Sequence, residues 1–344
     1  MNTPGNELRV APVTAVIPAY EREDMVRETV HSVLAQTLPV AEVLVVDDGS
    51  SDRTAEVAES LGVRVIRQAN QGVSAARNTG IREAHQEWVA LLDSDDLWEP
   101  DKMEAQWDAH LLRPEVGLLF TDRLHFDASG VTAVDVLRQR DVYGRLKREV
   151  VGPDVVFCDR RTLADGLFPG NFIKPSTMMA RRDLCIEAGL FDTGFGRPGS
   201  LVGQTEDRDF FLRLVALTDA LVVERSLVRY RVHEGGASQN RLGMAMGAAG
   251  VAERVFAHPE RYPPGAVEYF RRDRPRRLRA AGILLMEEKR HAEARSLLWR
   301  SLREQPTFRT LAALGVSLLG PRVHDGLVRL KRWAGLPGLR SGGD

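Results

Sequence analysis

Residues 43–52 read VLVVDDGSSD, an apolar run that ends abruptly in two aspartates and a glycine-containing turn. Consecutive apolar residues without polar alternation are typical of a strand that is covered on both faces. The segment 88–96, WVALLDSDD, repeats this pattern, and another apolar run covers Val13 to Ile17. Such strands occur in parallel sheets wrapped by helices, where ligands bind at the carboxyl ends of the strands.

Helical patterns alternate with these apolar runs. Apolar residues recur every three to four positions from Met25 to Leu34, and we predict further helices over Thr54 to Leu61 and Ser74 to Ala84. A strand is also predicted over Val63 to Ile66. Because strands and helices alternate with short connections, the sequence predicts an α/β fold with a mostly parallel sheet.

Two parts of the chain depart from this alternation. The stretch Asp127 to Pro175 has a mixed, loop-rich pattern, which we interpret as an inserted flap. After His233 the sequence becomes helical and rich in arginine, and Ala281 to Pro306 is similar to a single helix-turn-helix repeat unit. We therefore predict an α/β domain over 1–240 and a basic α-helical region over 241–344.

Charge is divided unevenly along the chain. The formal net charge is −1, yet residues 241–344 contain 20 Lys and Arg against 10 Asp and Glu, whereas residues 1–240 contain 27 against 38. An acidic N-terminal part argues against nucleic acid as a partner. The basic part either makes peripheral contact with an anionic membrane surface or is a solvated helical face.

Cysteine content and hydropathy favour a cytoplasmic location. Cys158 and Cys185 are the two cysteines, too few for a disulfide framework. The first ten residues lack the apolar centre of a signal peptide, and no run of about 18 apolar residues occurs. We therefore expect a cytoplasmic protein, with peripheral contact at the inner face of the membrane as the option that the basic region leaves open.

Three carboxylates, from Asp93, Asp95 and Asp96, lie within four positions after a predicted buried strand. A divalent cation would relieve their mutual repulsion, and Mg²⁺ is usually held by one or two carboxylates together with substrate phosphates. The alternative is an acidic turn in which Asp95 or Asp96 caps the next helix. The motif alone does not decide between the two.

Asp47 and Asp48 form a second acidic turn at the end of a strand. Gly49 lets the backbone approach a flat ligand, and either aspartate can accept a hydrogen bond from a nucleobase N–H. The alternative is a simple turn that caps a helix, a role that we expect for Asp52 next to Thr54. We favour ligand binding for the first two aspartates, because capping does not require two acidic turns on one rim.

Charged residues near two predicted helix starts extend the candidate site. Arg77 either binds phosphate or anchors an aspartate, and the amide of Asn78 can bind an amide or hydroxyl edge. Glu206 and Asp207 precede an amphipathic helix and act either as a general base or as helix caps. His233 follows an apolar strand and is either a metal or phosphate ligand or a structural residue.

Six blocks in this order resemble the motif series of family 2 glycosyltransferases. They are Val16-Ile17-Pro18-Ala19-Tyr20, Val45-Val46-Asp47-Asp48-Gly49-Ser50, Ala76-Arg77-Asn78-Thr79-Gly80-Ile81, Leu91-Leu92-Asp93-Ser94-Asp95-Asp96, Glu206-Asp207 and Tyr230-Arg231-Val232-His233. The resemblance covers about residues 12–240. It implies a GT-A fold, in which a nucleotide-binding, mostly parallel sheet flanked by helices is continuous with a smaller acceptor-binding half.

The resemblance also implies roles for individual residues. Asp207 is the implied catalytic base, Asp95 the implied metal ligand, and Asp93 contacts the ribose or the sugar. We assign His233 to the same metal site, for Mn²⁺ or Mg²⁺. The residues assigned to binding of the nucleotide and substrate are Pro18, Tyr20, Glu21, Asp47, Asp48, Arg77, Asn78, Asp93, Ser94 and Glu206.

The activity implied by the resemblance is metal-dependent transfer of a sugar, with inversion, from a nucleotide sugar to an acceptor hydroxyl. A UDP-sugar is the expected donor, and a carbohydrate or a lipid-linked sugar is the expected acceptor, in the synthesis of cell-surface polysaccharide or glycoconjugate. The Gln-x-x-Arg-Trp motif of processive members does not occur. We therefore expect a non-processive enzyme.

Two other functions remain as alternatives. A nucleotidyltransferase also uses carboxylate-bound Mg²⁺, but it needs a basic or glycine-rich loop after its first strand, and Ala19-Tyr20-Glu21-Arg22 is not one. The second alternative is a catalytically inactive scaffold that acts through its helical tail. Against it, every acidic position that the resemblance requires is occupied.

Overall fold

A computed structural model describes residues 9–195, 205–233 and 240–319. The N-terminal part alternates strands and helices as predicted, and the predicted bounds agree with the structure to within a few residues. Branched Val and Ile side chains favour the strands, since they fit a pleated surface. The elements are β1 (Ala11–Ala19), α1 (Val26–Leu34), β2 (Val40–Asp47), α2 (Thr54–Glu59), β3 (Arg64–Arg67), α3 (Val73–Glu83) and β4 (Trp88–Leu91).

One sheet contains all the described strands. Its main order is β3-β2-β1-β4, continued by β10 (Met178–Arg181), β6 (Leu118–Asp127), β11 (Ala220–Arg231), β9 (Val155–Cys158) and β8 (Glu149–Gly152). The first four strands are parallel, and β6 and β11 are parallel to each other. Strand β10 runs antiparallel to both β4 and β6 and joins these two groups. Two short strands pair outside this order, β5 (Leu97–Trp98) with β11 and β7 (Gly130–Ala133) with β6.

The stretch from Asp127 to Pro175 is not the loop-rich flap that the sequence predicted. It contributes β8 and β9 to the sheet, and β9 pairs antiparallel with β11. Helices α5 (Asp141–Gly144) and α6 (Arg160–Leu167) lie in the same stretch. The prediction was wrong here because strands of four residues are too short to show a clear period.

Three further helices belong to this part of the chain, namely α4 (Lys102–Leu112), α7 (Arg182–Glu187) and α8 (Glu206–Leu214). Strand β1 is buried on both of its faces. Ala15 and Ile17 belong to the large apolar cluster on one face, which includes residues of α1 and α4. Val16 points to the other face, towards Gly80 of α3. The candidate site is thus built on strands that side chains fix from both sides.

The described residues fall into two compact units. One lies within Met1–Thr193 and Glu206–Glu234, and the other lies within Gly194–Thr205 and Gly235–Asp344. The predicted domain boundary at residue 240 stays a prediction. Within the residues that the structure describes, no helix has both the length and the apolar character that a membrane crossing requires.

The second unit contains the predicted helices of the C-terminal region. They are α9 (Arg241–Ala257), α10 (Ala266–Glu287), α11 (His291–Glu304) and α12 (Phe308–Leu319). Asn240 caps α9, since its Oδ1 accepts a hydrogen bond from Gly243 N at 2.8 Å. Leu285, Ala294 and Leu298 are buried between α10 and α11. The helix pair predicted around Ala281 to Pro306 is therefore confirmed.

Close packing of α3 on β1 predicts that Gly80→Ala destabilises the protein. A Cβ atom at Gly80 would lie 2.1 Å from Val16 Cγ1. Overpacking of a core costs about 1–3 kcal/mol, which exceeds the gain of up to about 1 kcal/mol in helix propensity. Urea denaturation should show the loss in the free energy of unfolding.

Gly144→Ala is the matched control, because a Cβ atom there meets nothing within 4 Å. The double variant Val16→Ala/Gly80→Ala removes the methyl group that causes the clash. The double variant should therefore lose less free energy of unfolding than the sum of the losses in the two single variants. Equal stability of the Gly80 and Gly144 variants would contradict the proposed close packing.

Candidate active site

The carboxyl ends of β2, β1 and β4 lie side by side, because β1 pairs in parallel with both neighbours. Ala19 lies opposite Asp47 in one pair, and Val16 lies opposite Leu91 in the other. The backbone N–H of Leu92 extends the second pairing by donating to Val16 O at 3.0 Å. The prediction that the two acidic turns open onto the same rim of the sheet is therefore confirmed.

Arg77, on α3, joins two of the predicted carboxylates. Its Nη2 donates to Asp93 Oδ1 at 2.6 Å, and its Nη1 donates to Glu206 Oε1 at 3.0 Å. The guanidinium group is buried and lies over the Phe191 ring, 5.2 Å from its centroid. Burial alone would lower the pKa of Arg77. The negative charges of Asp93 and Glu206 have the larger effect, so the pKa of Arg77 is raised. Of the two roles considered for Arg77, the geometry shows the anchoring of carboxylates.

Glu206 and Asp207 lie in the first turn of α8, as predicted. Burial raises the pKa of Glu206; the nearby charge of Arg77 opposes this rise and that of Asp207 adds to it. Asp207 Oδ1 accepts a hydrogen bond from Arg208 N at 2.7 Å, and its Oδ2 lies 3.4 Å from Lys174 Nζ. The Asp207 side chain is 16% exposed, so a hydroxyl group can reach it.

Lys174 is a site residue that the sequence analysis did not identify. It lies in the stretch whose pattern was misinterpreted as a flap, directly before the short 3₁₀ helix Pro175–Thr177. No local signal distinguishes Lys174 from the other lysines of the chain. Only the fold brings it next to Asp207.

Asp95 and His233 meet although 138 positions separate them in the sequence. Asp95 Oδ2 and His233 Nε2 are 3.1 Å apart, and each side chain is 24% exposed. A carboxylate oxygen and an imidazole nitrogen are suitable ligands for Mn²⁺. No group of three or more His, Cys, Asp or Glu side chains in the described residues is arranged to hold a metal ion. Two protein ligands fit a cation that arrives with a diphosphate, since phosphate oxygens complete its coordination.

Asp96 is buried and anchors the acidic turn 93–96 to neighbouring segments. Its Oδ2 accepts a hydrogen bond from Ser176 Oγ at 2.6 Å, and its Oδ1 accepts one from Arg231 N at 2.9 Å. Burial raises the pKa of Asp96 well above its usual value, and the negative charges of Asp95 and Asp93 add to this rise. The following helix begins at Lys102, too far along the chain for Asp95 or Asp96 to cap it. The capping alternative for this turn is therefore wrong.

Ser176 is a second residue that the sequence analysis missed. Its Oγ accepts a hydrogen bond from Asp93 N at 3.2 Å and donates to Asp96. Its carbonyl accepts a hydrogen bond from Trp98 Nε1 at 3.0 Å. Ser176 thus holds both ends of the second acidic turn in place.

Asp47 and Asp48 are both buried, with exposed fractions of 3% and 2%. Asp47 accepts a hydrogen bond from the hydroxyl of Ser50. Asp48 uses both carboxylate oxygens to order the segment that leads into α3. Its donors are Gln68 Nε2 at 2.7 Å, Gln71 N at 3.0 Å and Gly72 N at 2.7 Å.

Glu21 and Asp52 connect the turns that follow β1 and β2. Glu21 Oε1 accepts hydrogen bonds from Ser51 N at 2.8 Å and Ser51 Oγ at 2.9 Å. Asp52 Oδ1 accepts one from Thr54 N at 3.0 Å, but Arg53 is the N-cap residue of α2 and no side-chain hydrogen bond caps this helix, so the expected capping by Asp52 is not observed. The observed contacts of Glu21 are with the protein, and its assignment to substrate binding stays a prediction.

The remaining predicted residues differ in their accessibility. Pro18 and Ser94 are buried, whereas Tyr20 exposes 46% of its surface at the end of β1. Asn78 donates to Phe191 O and accepts from Phe191 N, both at 2.8 Å. The observed contacts of the Asn78 amide are therefore with the protein, and its assignment to ligand binding stays a prediction.

Comparison with known proteins gives one family and several relatives. The sequence model of Glycosyl transferase family 2 matches residues 14–158. TuaG of Bacillus subtilis, a glycosyltransferase assigned to teichuronic acid biosynthesis, is 30% identical over 195 residues, which are 53% of this chain and 73% of TuaG. WfgD of Escherichia coli, a UDP-Glc:α-D-GlcNAc-diphosphoundecaprenol β-1,3-glucosyltransferase, is 31% identical over 162 residues. That alignment covers 46% of this chain and just under two thirds of WfgD, 64%.

A solved structure has the same fold. The structure of S. aureus TarS 1-349 in complex with UDP-GlcNAc superimposes with a TM-score of 0.60 at 17% sequence identity. The match covers 92% of this chain and 87% of that one. At this identity the likeness concerns the fold alone, and it confirms the predicted GT-A architecture.

The bridge made by Arg77 predicts that Arg77→Met destabilises the fold around the site. The substitution leaves the carboxylates of Asp93 and Glu206 without their cation, and loss of one partner of a buried ion pair costs about 3 kcal/mol or more. Urea denaturation should show this loss in the free energy of unfolding. Arg82→Met, on the exposed side of the same helix, should change it by less than about 0.5 kcal/mol.

A second variant separates charge from side-chain packing. Glu206→Gln in the Arg77→Met background removes one of the two unpaired carboxylates, so it should restore part of the lost stability. If Arg77→Met were as stable as Arg82→Met, the contacts of Arg77 with Asp93 and Glu206 would not stabilise the fold.

Proposed function

The chain belongs to glycosyl transferase family 2, and from this premise we propose that it transfers a sugar from a UDP-sugar to an acceptor hydroxyl with inversion. One observation carries the proposal. Arg77 joins Asp93, at the end of β4, to Glu206, which starts α8 and lies 129 positions after Arg77 in the sequence. This contact brings Asp207 to the strand ends where ligands bind in sheets of this kind.

Asp207 is the general base in this proposal. Its carboxylate takes the proton of the acceptor hydroxyl, whose oxygen attacks the anomeric carbon of the donor sugar. The attack comes from the face opposite the bond to the nucleoside diphosphate. That bond breaks as the new one forms, so the configuration at the anomeric carbon inverts. The ammonium group of Lys174, 3.4 Å from Asp207 Oδ2, helps to hold this carboxylate in position.

The nucleotide lies at the ends of β1 and β2 in this proposal. The exposed ring of Tyr20 offers a stacking surface for the base. Asp47 is the better candidate to accept a base N–H, because protein donors already occupy both oxygens of Asp48. A uridine nucleotide is supported by the donors named for WfgD and for the TarS complex.

Asp95 and His233 would hold a divalent cation, Mn²⁺ or Mg²⁺, between the protein and the donor diphosphate. A bound cation of this kind stabilises the charge that develops on a leaving diphosphate. Asp96 and Ser176 position the turn that carries Asp95, and Arg77 fixes Asp93 beside it. These contacts orient the candidate ligand before the donor binds.

The acceptor is a carbohydrate or a lipid-linked sugar in this proposal, and the process is synthesis of a cell-surface polysaccharide or glycoconjugate. TuaG and WfgD, whose names give such a process or acceptor, support this choice. A cytoplasmic enzyme at the inner face of the membrane would meet lipid-linked acceptors. Peripheral contact through residues 241–344 remains part of the proposal, because that region carries an excess of Lys and Arg.

The proposed activity predicts turnover with at least one UDP-sugar when a panel of nucleotide sugars is incubated with Mn²⁺ and mixed acceptors. Asp207→Asn should lower the transfer rate by about a hundredfold to ten-thousandfold, since it removes general-base catalysis. Donor affinity, measured by titration calorimetry, should stay unchanged. Asp165→Asn, on the exposed side of α6, is the matched control and should transfer like the wild type. Wild-type turnover by Asp207→Asn would show that another residue is the base.

The proposed metal site predicts that Asp95→Ala and His233→Ala weaken donor binding only when a divalent cation is present. Loss of even an indirect metal contact lowers affinity about 10–100-fold, so a direct ligand should have at least this effect. Titration of UDP into each variant, with Mn²⁺ and with EDTA, measures the difference. Equal affinities of wild type and both variants in Mn²⁺ would exclude these two side chains as ligands.

A further inference from the structure

Basic side chains gather around the segment 171–174, beside the proposed base. Arg140 Nη1 donates to the carbonyl of Asn171 at 2.7 Å, and Arg123 Nη1 donates to the carbonyl of Phe172 at 3.4 Å. Lys174, two residues further along, reaches the proposed base. Two guanidinium groups and one ammonium group are therefore brought to the same short segment.

Of these three cations, Lys174 alone pairs with a carboxylate, Asp207, in the described parts of the chain. Neither Arg123 nor Arg140 forms an ion pair with a carboxylate in the described parts of the chain. Arg123 is only 3% exposed, and its Nε has no hydrogen-bond partner there, nor does the buried Nδ2 of Asn171. Burial, reinforced by the charge of Arg140, lowers the pKa of Arg123 to about 10. Because a buried cation without an anion is costly, the cluster is incomplete as the protein alone forms it.

His125 belongs to the same cluster. It follows Arg123 by two positions in β6, so both side chains point to the same face of the sheet. Burial, followed by the charges of Arg123, Lys174 and Arg140, lowers the pKa of His125 to about 4. At neutral pH its imidazole is therefore uncharged and offers one N–H donor and one acceptor.

We propose that Arg123, Arg140 and Lys174 bind a phosphate group of the acceptor, next to the hydroxyl that Asp207 deprotonates. The inference rests on the proposed function, because the role of Asp207 defines where the acceptor hydroxyl lies. Asp122 also acts on Arg123, but its carboxylate pairs with Arg138, so Asp207 is the carboxylate that pairs with a cation of the cluster. The remaining excess of positive charge suits a phosphate or diphosphate better than a sugar carboxylate. Arginine binds phosphate oxygens in pairs, and the unpartnered donors of the cluster would then be used.

Two kinds of acceptor carry such a group. One is a sugar attached to a lipid through a diphosphate, and the other is a polymer whose units are joined by phosphodiesters. The test uses the full chain, the UDP-sugar that supports turnover, and three acceptors that present the same sugar. These are a farnesyl-diphosphate-linked sugar, a glycerol phosphodiester of the sugar, and its uncharged alkyl glycoside.

We expect kcat/KM for at least one phosphate-bearing acceptor to exceed that for the alkyl glycoside by about tenfold or more. The preferred phosphate-bearing acceptor identifies the source of the phosphate. Equal use of all three acceptors would overturn the proposal.

Arg123→Gln and Arg140→Gln should each lower kcat/KM for the phosphate-bearing acceptor by about ten- to a hundredfold. Turnover of the alkyl glycoside and affinity for UDP should stay unchanged. Arg145→Gln is the matched control, because the Arg145 side chain is 82% exposed. A fall in UDP affinity instead would assign the cluster to the donor diphosphate and overturn the proposal.

Stability distinguishes a binding role from a structural one. Arg123→Met removes a buried charge that has no anion, so its melting temperature should not fall below that of the wild type. A lower melting temperature together with an equal loss of activity towards charged and uncharged acceptors would make Arg123 structural and overturn the proposal.

A binding measurement separates this inference from the proposed function. Calorimetric titration of the farnesyl-diphosphate-linked sugar and of the glycerol phosphodiester into protein saturated with UDP requires no turnover. Absence of transfer by the wild type would count against the proposed function. Binding of these two probes that is equally strong in the wild type and in Arg123→Gln would overturn the phosphate site.

Discussion

The Arg77 guanidinium group is the interaction on which the candidate site depends. It pairs with Asp93 at a strand end and with Glu206 at a helix start, and the Arg77 side chain itself is only 5% exposed. Without this cation, carboxylates from two distant stretches would repel each other. The stacked rings of Phe191 and Phe210, 4.1 Å apart, cover the same region and keep its polarity low. Low polarity strengthens each of these charge pairs.

Parallel pairing at β1 supplies the second constraint. Since β1 lies between β2 and β4, the register of two ladders fixes where both acidic turns emerge. Each turn is then stabilised by hydrogen bonds from distant segments. Asp48 orders the approach to α3, and Asp96 is held by Ser176 and Arg231. Several aspartates of these motifs therefore shape the site, and others, such as Asp95, are left accessible to ligands.

The sequence was a good guide to the parts of the fold that depend on local patterns. The apolar runs before Asp47 and Asp93 predicted buried parallel strands, and the amphipathic residues after Asp207 predicted α8. Local sequence patterns do not indicate contacts between residues that lie far apart in the chain. Ser176 and Lys174 act through partners up to 83 positions away, and no local feature marks them. No local pattern indicated the contact between Asn78 and Phe191, which lie 113 positions apart.

The place of β11 in the sheet has a consequence for biosynthesis. Strand β11 lies between β6 and β9, although the chain completes both of these strands first. During translation their facing edges stay open until residues 220–231 have left the ribosome, and open strand edges invite pairing with other chains. The same late segment is followed at once by His233, so closure of the sheet and completion of the Asp95–His233 pair occur together. A nascent chain that stops short of this point therefore has neither a closed sheet nor the candidate metal ligands in place.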